Sequence, residues 1–318
     1  MPADRNQPAS PGEDRTFRHQ AILYTGTDDF VAQTSPLVEA ALDADTPVLV
    51  ALTPTTLGGL RESLGRDAER VRWIDITGIG LNPARIIPVW RGFVAHHRRD
   101  GQTRPVFGIG QPIYAGRTPA ETVEAERHEA LLNLAFRETP NFDLYCPYDV
   151  ETLGPEVVDA AGRTHPHVQA TDARQLSTTY RPEVLAGAFT APLSMGEGPA
   201  WQISLDHRSM AEVHRLIVDR GCRLVSDATR GRGLGDVALA AVAVSAGIGG
   251  QRLRMWSEQG QVLVEIEGRV PIVDPLAGRE WPAPTGEPEH GLWLANQLCD
   301  LVQWRSDGRS SVVRLRQG

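Results

Sequence analysis

The stretch His290–Trp304, HGLWLANQLCDLVQW, decides how the C-terminal half of this chain is read. It opens with a Gly, and Leu292, Leu294, Leu298, Leu301 and Val302 then recur close to helical spacing. That spacing predicts one helix with an apolar side toward a core. Asn296 and Asp300 fall between those positions and are expected on the polar side. Arg305-Ser306-Asp307-Gly308 follows as a turn signal, and Ser311–Leu315 as a short closing strand.

Working outward, the 318 residues suffice for two domains with cores of their own. A 41% hydrophobic and 23% charged composition is that of an ordinary globular protein. No run approaches the roughly 18 apolar residues of a membrane span, and the first residues, MPADRNQPASPGEDR, show no secretory h-region. Cys146, Cys222 and Cys299 are few, odd in number and far apart, as expected of a protein in a reducing cytoplasm and not of a disulfide framework or a zinc ribbon. A net charge of -8 argues against a nucleic-acid partner, and nothing in the sequence points to a membrane partner. All 32 basic residues are arginine. Without a lysine the chain has neither a P-loop nor a Schiff-base amine.

Residues 1–16 read as a disordered tail, 17–167 as a first domain, 168–200 as a Pro/Gly-punctuated linker and 201–318 as a second domain. In the first domain, strand runs such as Pro47–Leu52 and Pro105–Gly110 alternate with helical stretches, including Thr118–Arg137. This alternation predicts an α/β sheet of three layers with right-handed crossovers.

The blocks HQAILYTGTDDF (19–30), NPARIIPVWRGF (82–93), GIGQPIYAGR (108–117), ERHEALLNLAF (126–136) and LYCPYD (144–149) resemble the MEDS sensory domain, in that order. The resemblance implies a RecA/KaiC-like architecture used for sensing. The turn Thr25–Asp29 offers one Gly and two carboxylates where phosphates would sit, so close backbone approach and a positive field are both missing. A ligand of such a sheet is expected at the C-terminal ends of its strands. That selects Tyr24, Gln111, Arg117, Cys146, Tyr148 and Asp149, with Glu124, His128, Glu129 and Asn133 from the helix beside them. Glu124 and His128 share a face, as do Glu129 and Asn133. A carboxylate-oriented imidazole suits a metal or a polar ligand, and the competing reading is solvated helix residues and interface hydrogen bonds. Cys146 is either a ligand or redox thiol or a small buried residue. His165-Pro166-His167 is read as the end of the domain. These residues point to no cofactor and to no metal site.

The second domain reads as strand Trp201–Leu205, helix Ser209–Gly221, a Gly-rich connection at 230–235, helix Asp236–Ala246, a hairpin at 252–266, a loop, a lid region at 280–290, the final helix and a strand. This order, with the Gly-initiated helix at Gly291, resembles the histidine-kinase/Hsp90-type ATPase domain in its anti-sigma-factor branch, a two-layer α/β sandwich. The resemblance implies an Asn and a Glu on the helix DVALAAVAVSAGIGG (236–250), yet no Glu or Asn occurs between Leu239 and Gly250. Gly268 and Val270 stand where an adenine-binding Asp and a Gly would be expected, and only Gly291-Leu292 survives. The remnant nucleotide site is therefore read as Ala243, Gly247, Gly268, Val270, Gly291 and Leu292. A residual pocket through Glu265, Glu267 or Asp274 is the alternative.

By resemblance, the chain is expected to be a non-enzymatic regulator that binds a sigma factor or a STAS-type anti-anti-sigma protein near Met210, Val213 and His214. The rival expectation is an active ATP-dependent serine kinase. A third is a structural or dimerisation module, and a homodimer is compatible with each.

Overall fold

The computed structural model describes residues 16–98, 104–170, 173–181, 191–193, 200–224, 233–282 and 288–318. The expected N-terminal tail, apart from residue 16, lies outside them, as do just over half of the expected linker, half of the Gly-rich connection and the middle of the lid region.

The first half forms a seven-stranded sheet, in order β3-β2-β4-β5-β1-β6-β7. Its strands are β1 Arg18–Tyr24, β2 Val48–Leu52, β3 Val71–Asp75, β4 Val106–Gly110, β5 Phe142–Asp149, β6 His167–Ala170 and β7 Ala173–Leu176. All neighbours run parallel except β6 and β7. The helices are α1 Gly26–Asp43, α2 Pro54–Leu64, the short α3 Ile76–Ile79, α4 Ile86–His97, α5 Pro119–Ala135 and α6 Pro155–Thr164. The sheet extends into residues expected as linker, because β6 pairs with β1 and β7 turns back on it.

Strand alternation separates two cores. Val48, Val50 and Leu52 of β2 pack with Phe30, Val38 and Leu60 of α1 and α2. Leu49 and Ala51 point the other way, toward the core holding Trp90 of α4 and Leu131 of α5. Phe142, Leu144, Cys146 and Tyr148 of β5 face that second core, which continues into the C-terminal half. Because α5 is covered by the sheet and by the C-terminal half, its polar residues Glu124, Arg127, His128 and Glu129 are buried. These residues are therefore not solvated, while the interface hydrogen bonds of that competing reading are present at Glu124, which is bonded to Arg279, Arg305 and Gln303. The start of α5 is fixed by a capping box in which the Thr118 hydroxyl accepts from Glu121 N and the Glu121 carboxylate accepts from Thr118 N.

The second half is a five-stranded antiparallel sheet, in order β11-β12-β10-β9-β8. Its strands are β8 Trp201–Ser204, β9 Gly250–Glu258, β10 Gln261–Gly268, β11 Leu301–Ser306 and β12 Ser311–Gln317. Helices α7 Met210–Leu224, α8 Gly233–Ile248 and α9 Pro288–Leu298 pack against it.

The expected single helix through Trp304 is corrected: α9 ends at Leu298, and Leu301–Ser306 is a strand. Cys299 N closes the last helical turn on Ala295 O, and β11 then pairs with β12 from Leu301↔Arg316 to Ser306↔Ser311. Leu301 and Val302 fit a helical stripe and a strand equally, and tertiary pairing decides between them. Asn296 is also displaced from its expected polar side. It is buried at 3% exposure, donates from Nδ2 to Gly278 O at 2.8 Å and accepts from Asn82 Nδ2 at 3.0 Å. Arg85 adds hydrogen bonds to Asn296 O and Cys299 O, so the end of α9 is tied to the turn before α4.

Candidate functional site

Four side chains with metal-ligand chemistry converge in the core between β1, β5, α5 and α6: His19, Glu129, Cys146 and His165. None is more than 1% exposed, and their donor atoms all lie within 4.8 Å of one another. His19 shares its β1 face with Ala21, which pairs with Cys146 on the neighbouring strand. Glu129 descends from α5, and His165 follows the C-terminus of α6. His19 Nε2 is 3.0 Å from Glu129 Oε2 and 3.3 Å from Cys146 Sγ, and His165 Nε2 is 3.3 Å from Glu129 Oε2.

The outer nitrogens of both rings are held by acceptors. His19 Nδ1 lies 3.2 Å from Asn133 Oδ1, and that amide's orientation is set by Asn133 Nδ2, which donates to Thr164 O at 2.7 Å. His165 Nδ1 lies 2.9 Å from Ala161 O. Since these oxygens only accept, each Nδ1 carries a proton, and in the neutral ring this turns the Nε2 lone pair inward.

Burial, and then the neighbouring His165, push His19 down to about 4. Burial alone would raise the Glu129 carboxyl, but the adjoining His165 and then His19 hold it below the usual carboxylate range. Burial drives the Cys146 thiol well above its ordinary value. Glu129 Oε1, His165 Nε2 and the Tyr148 hydroxyl have no hydrogen-bond partner among the described atoms. Polar atoms orphaned together in a sealed core are unusual, because each costs roughly 1–3 kcal/mol.

Five positions earlier on α5, Glu124 forms a second buried cluster. Arg127 pairs with it from the same helix, while Arg279, Arg305 and Gln303 reach it from the C-terminal half at 3.4, 3.4 and 3.3 Å. One carboxylate thus faces three guanidiniums. Burial pushes Arg279 and Arg305 down to about 10. Between the two clusters His128 is fully buried with neither ring nitrogen partnered, and burial pushes it down to about 3.

The residues expected at the strand ends divide. Cys146 and Tyr148 join the four-donor cluster, and Glu124 and His128 lie on the same helix beyond it. Tyr24 and Gln111 form a separate closed network, in which Gln111 Nε2 donates to the Tyr24 hydroxyl and Gln111 Oε1 accepts from Thr56. Arg117 stacks on Tyr114 and donates to the carbonyls of Gly80, Leu81 and Pro112, so it braces loops. Asp149 caps its own turn by accepting from Glu151 N. His19 and His165 were missed as site residues. The signal was present in one of them: a histidine within the apolar run of a central strand must be buried, and a buried imidazole needs partners.

In the C-terminal half, the residues of the expected nucleotide remnant meet backbone to backbone. A Cβ at Gly291 would lie 2.5 Å from Ala243 O, and one at Gly268 2.3 Å from Ile248 O. Leu292 is buried, Gly247 is half-buried and Val270 is exposed. Glu265 is engaged by Arg254 and Arg314, Glu267 by Arg252, and Asp274 by Leu276 N. Of the expected partner residues, Met210 is exposed and His214 half-buried. Val213 is wholly buried in the core and presents nothing to a partner.

Residues 18–166 match the family model of the MEDS domain, the methanogen/methylotroph, DcmR sensory domain. No curated protein matches the chain. No described helix is long and apolar enough to cross a membrane.

Proposed function

We propose that this chain is a signalling regulator whose MEDS domain senses through the buried His19/Glu129/Cys146/His165 cluster and reports through α5 to the C-terminal half. The match over residues 18–166 supports the sensory role. The observation that carries the coupling is the placement of Glu129 and Glu124 on one helix. The first lies in the donor cluster and the second is gripped by Arg279 and Arg305 of the other half. A change in charge or geometry at Glu129 is thereby applied to a helix that the second half holds by buried ion pairs, which break only at high cost.

On this reading the C-terminal half is a degenerate anti-sigma-type ATPase domain that binds a sigma factor or a STAS-type anti-anti-sigma protein and transfers no phosphoryl group. In its favour, helices α8 and α9 touch at Ala243 and Gly291, where a nucleotide of that domain type would need room. The exposed start of α7, at Met210 beside the half-buried His214, offers the docking edge. The test is co-purification of the full chain with sigma and STAS proteins, with Mg-ATP titrated in parallel by calorimetry. Retention of one such protein, weakened by Met210→Asp, supports the reading. Saturable nucleotide binding with phosphorylation of the STAS protein overturns it.

A further inference from the structure

We infer that His19, Glu129, Cys146 and His165 form a binding site for one divalent transition-metal ion, with zinc best matched to the donor set. The inference takes the sensory reading of this cluster one step further by naming the ligand class, and its evidence is the geometry of the cluster itself.

In a tetrahedron, metal–nitrogen and metal–oxygen bonds of about 2.0–2.1 Å set those donors about 3.3–3.4 Å apart, and a metal–sulfur bond of about 2.3 Å sets nitrogen and sulfur about 3.6 Å apart. The cluster's donors lie within 4.8 Å of one another, so it needs only small side-chain shifts to close on an ion. Here the His19–Glu129, His165–Glu129 and His19–Cys146 donor pairs stand at 3.0, 3.3 and 3.3 Å. With both rings neutral and their Nδ1 protons given to Asn133 and Ala161, the two Nε2 lone pairs face the carboxylate. A cation at the centre converts that repulsion into coordination.

The same groups supply the surroundings that metal histidines need. Asn133 Oδ1 and Ala161 O accept from the outer nitrogens and fix the ring planes. Glu129 Oε1 and the Tyr148 hydroxyl are unpartnered, leaving a second carboxylate oxygen and a phenol beside the ion.

Charge selects the ion. One carboxylate and one thiolate with two neutral imidazoles balance a dication, so the loaded site is neutral in a sealed core. A monovalent or trivalent ion would leave a net buried charge. The mixed set of two nitrogens, one sulfur and one oxygen suits zinc or its cobalt(II) surrogate better than calcium or magnesium, which take oxygen donors. On binding, the Cys146 S–H bond breaks, its sulfur bonds the metal, and the proton leaves to solvent.

The experiment uses the full chain, stripped with chelator under reducing conditions and titrated with Co²⁺. The expected result is saturation at one equivalent, with the visible bands of tetrahedral Co²⁺ and a thiolate-to-cobalt band in the ultraviolet, both displaced by Zn²⁺. Cys222→Ser, which alters an exposed thiol outside the site, keeps the spectrum, and Cys146→Ser loses the thiolate band. Asn133→Ala weakens metal affinity about 10–100-fold. X-ray absorption on the zinc-loaded wild type, which needs no variant to fold, should show one sulfur among nitrogen and oxygen neighbours.

A featureless titration, octahedral cobalt bands, or a thiolate band that persists in Cys146→Ser overturns the inference. Failure here leaves the sensory reading standing if α5 still transmits a change at Glu129. Metal binding without such transmission keeps the site and removes the reading.

Discussion

Glu129 and Glu124 lie five residues apart on one buried helix, the first against His19 and His165 and the second against Arg127, Arg279 and Arg305. Helix α5 is thus pinned at both clusters by charges withdrawn from water. Its length between them is little more than one turn, too short to absorb a shift by bending.

The Glu124 cluster should be the more sensitive to loss of its anion. Glu124→Gln takes from buried Arg279 and Arg305 the carboxylate they share and is expected to destabilise the protein by about 3–5 kcal/mol in urea unfolding. The control is Glu280→Gln, which removes an exposed partner of Arg91 and should cost less than about 1 kcal/mol. Equal small losses would show that the buried cluster does not hold the two halves together.

The junction at Asn82 and Asn296 is tested by a double-mutant cycle. Asn82→Ala and Asn296→Ala each strand a buried amide and should cost about 1–3 kcal/mol. The pair should cost less than the sum, with a coupling above about 0.5 kcal/mol, because the side chains bond each other at 3.0 Å. Strict additivity would contradict that contact.

Acid should weaken the metal-free protein. His19 and His128 are pushed down to about 4 and about 3, below the ordinary histidine value of about 6.5. Between those values the unfolded chain binds more protons, so stability is present above about pH 6.5 and is lost as pH falls through 4. At about 1.4 kcal/mol per pH unit, His19 alone accounts for a loss on the order of 3 kcal/mol by pH 4. Urea midpoints across this range in chelating buffer measure it, and His128→Leu should flatten the slope. A pH-independent midpoint would contradict burial of neutral imidazoles.

Close packing of α8 on α9 predicts a steric penalty. Gly291→Ala drives a methyl to 2.5 Å from Ala243 O and should cost about 1–3 kcal/mol. Gly58→Ala, where a methyl meets nothing within 4 Å, should not be destabilising. If Gly291→Ala is as mild, the two helices have room between them.

The strand–helix alternation of the first half was legible because parallel strands buried on both faces read as apolar runs, as in Val48–Leu52. The end of α9 was not, since Leu301 and Val302 satisfy both helical and strand periodicity and only pairing with β12 separates them. Cys146 and Glu129 could be singled out one at a time, from a strand end and a helix face. Their meeting with His19 and His165 depends on β1 lying between β5 and β6, an order that spacing along the chain does not encode. The burial of Glu124 was equally hidden, because its arginine partners Arg279 and Arg305 come from the other half of the chain.

Hydrogen–deuterium exchange on the full chain carrying Glu129→Gln tests most directly whether α5 joins the donor cluster to the second half. Loss of the carboxylate charge should loosen α5 and, beyond it, lower protection across α9 and β11, residues 288–306, relative to wild type. Faster exchange confined to α5 and its neighbours in the first sheet, with 288–306 unchanged, would contradict the account.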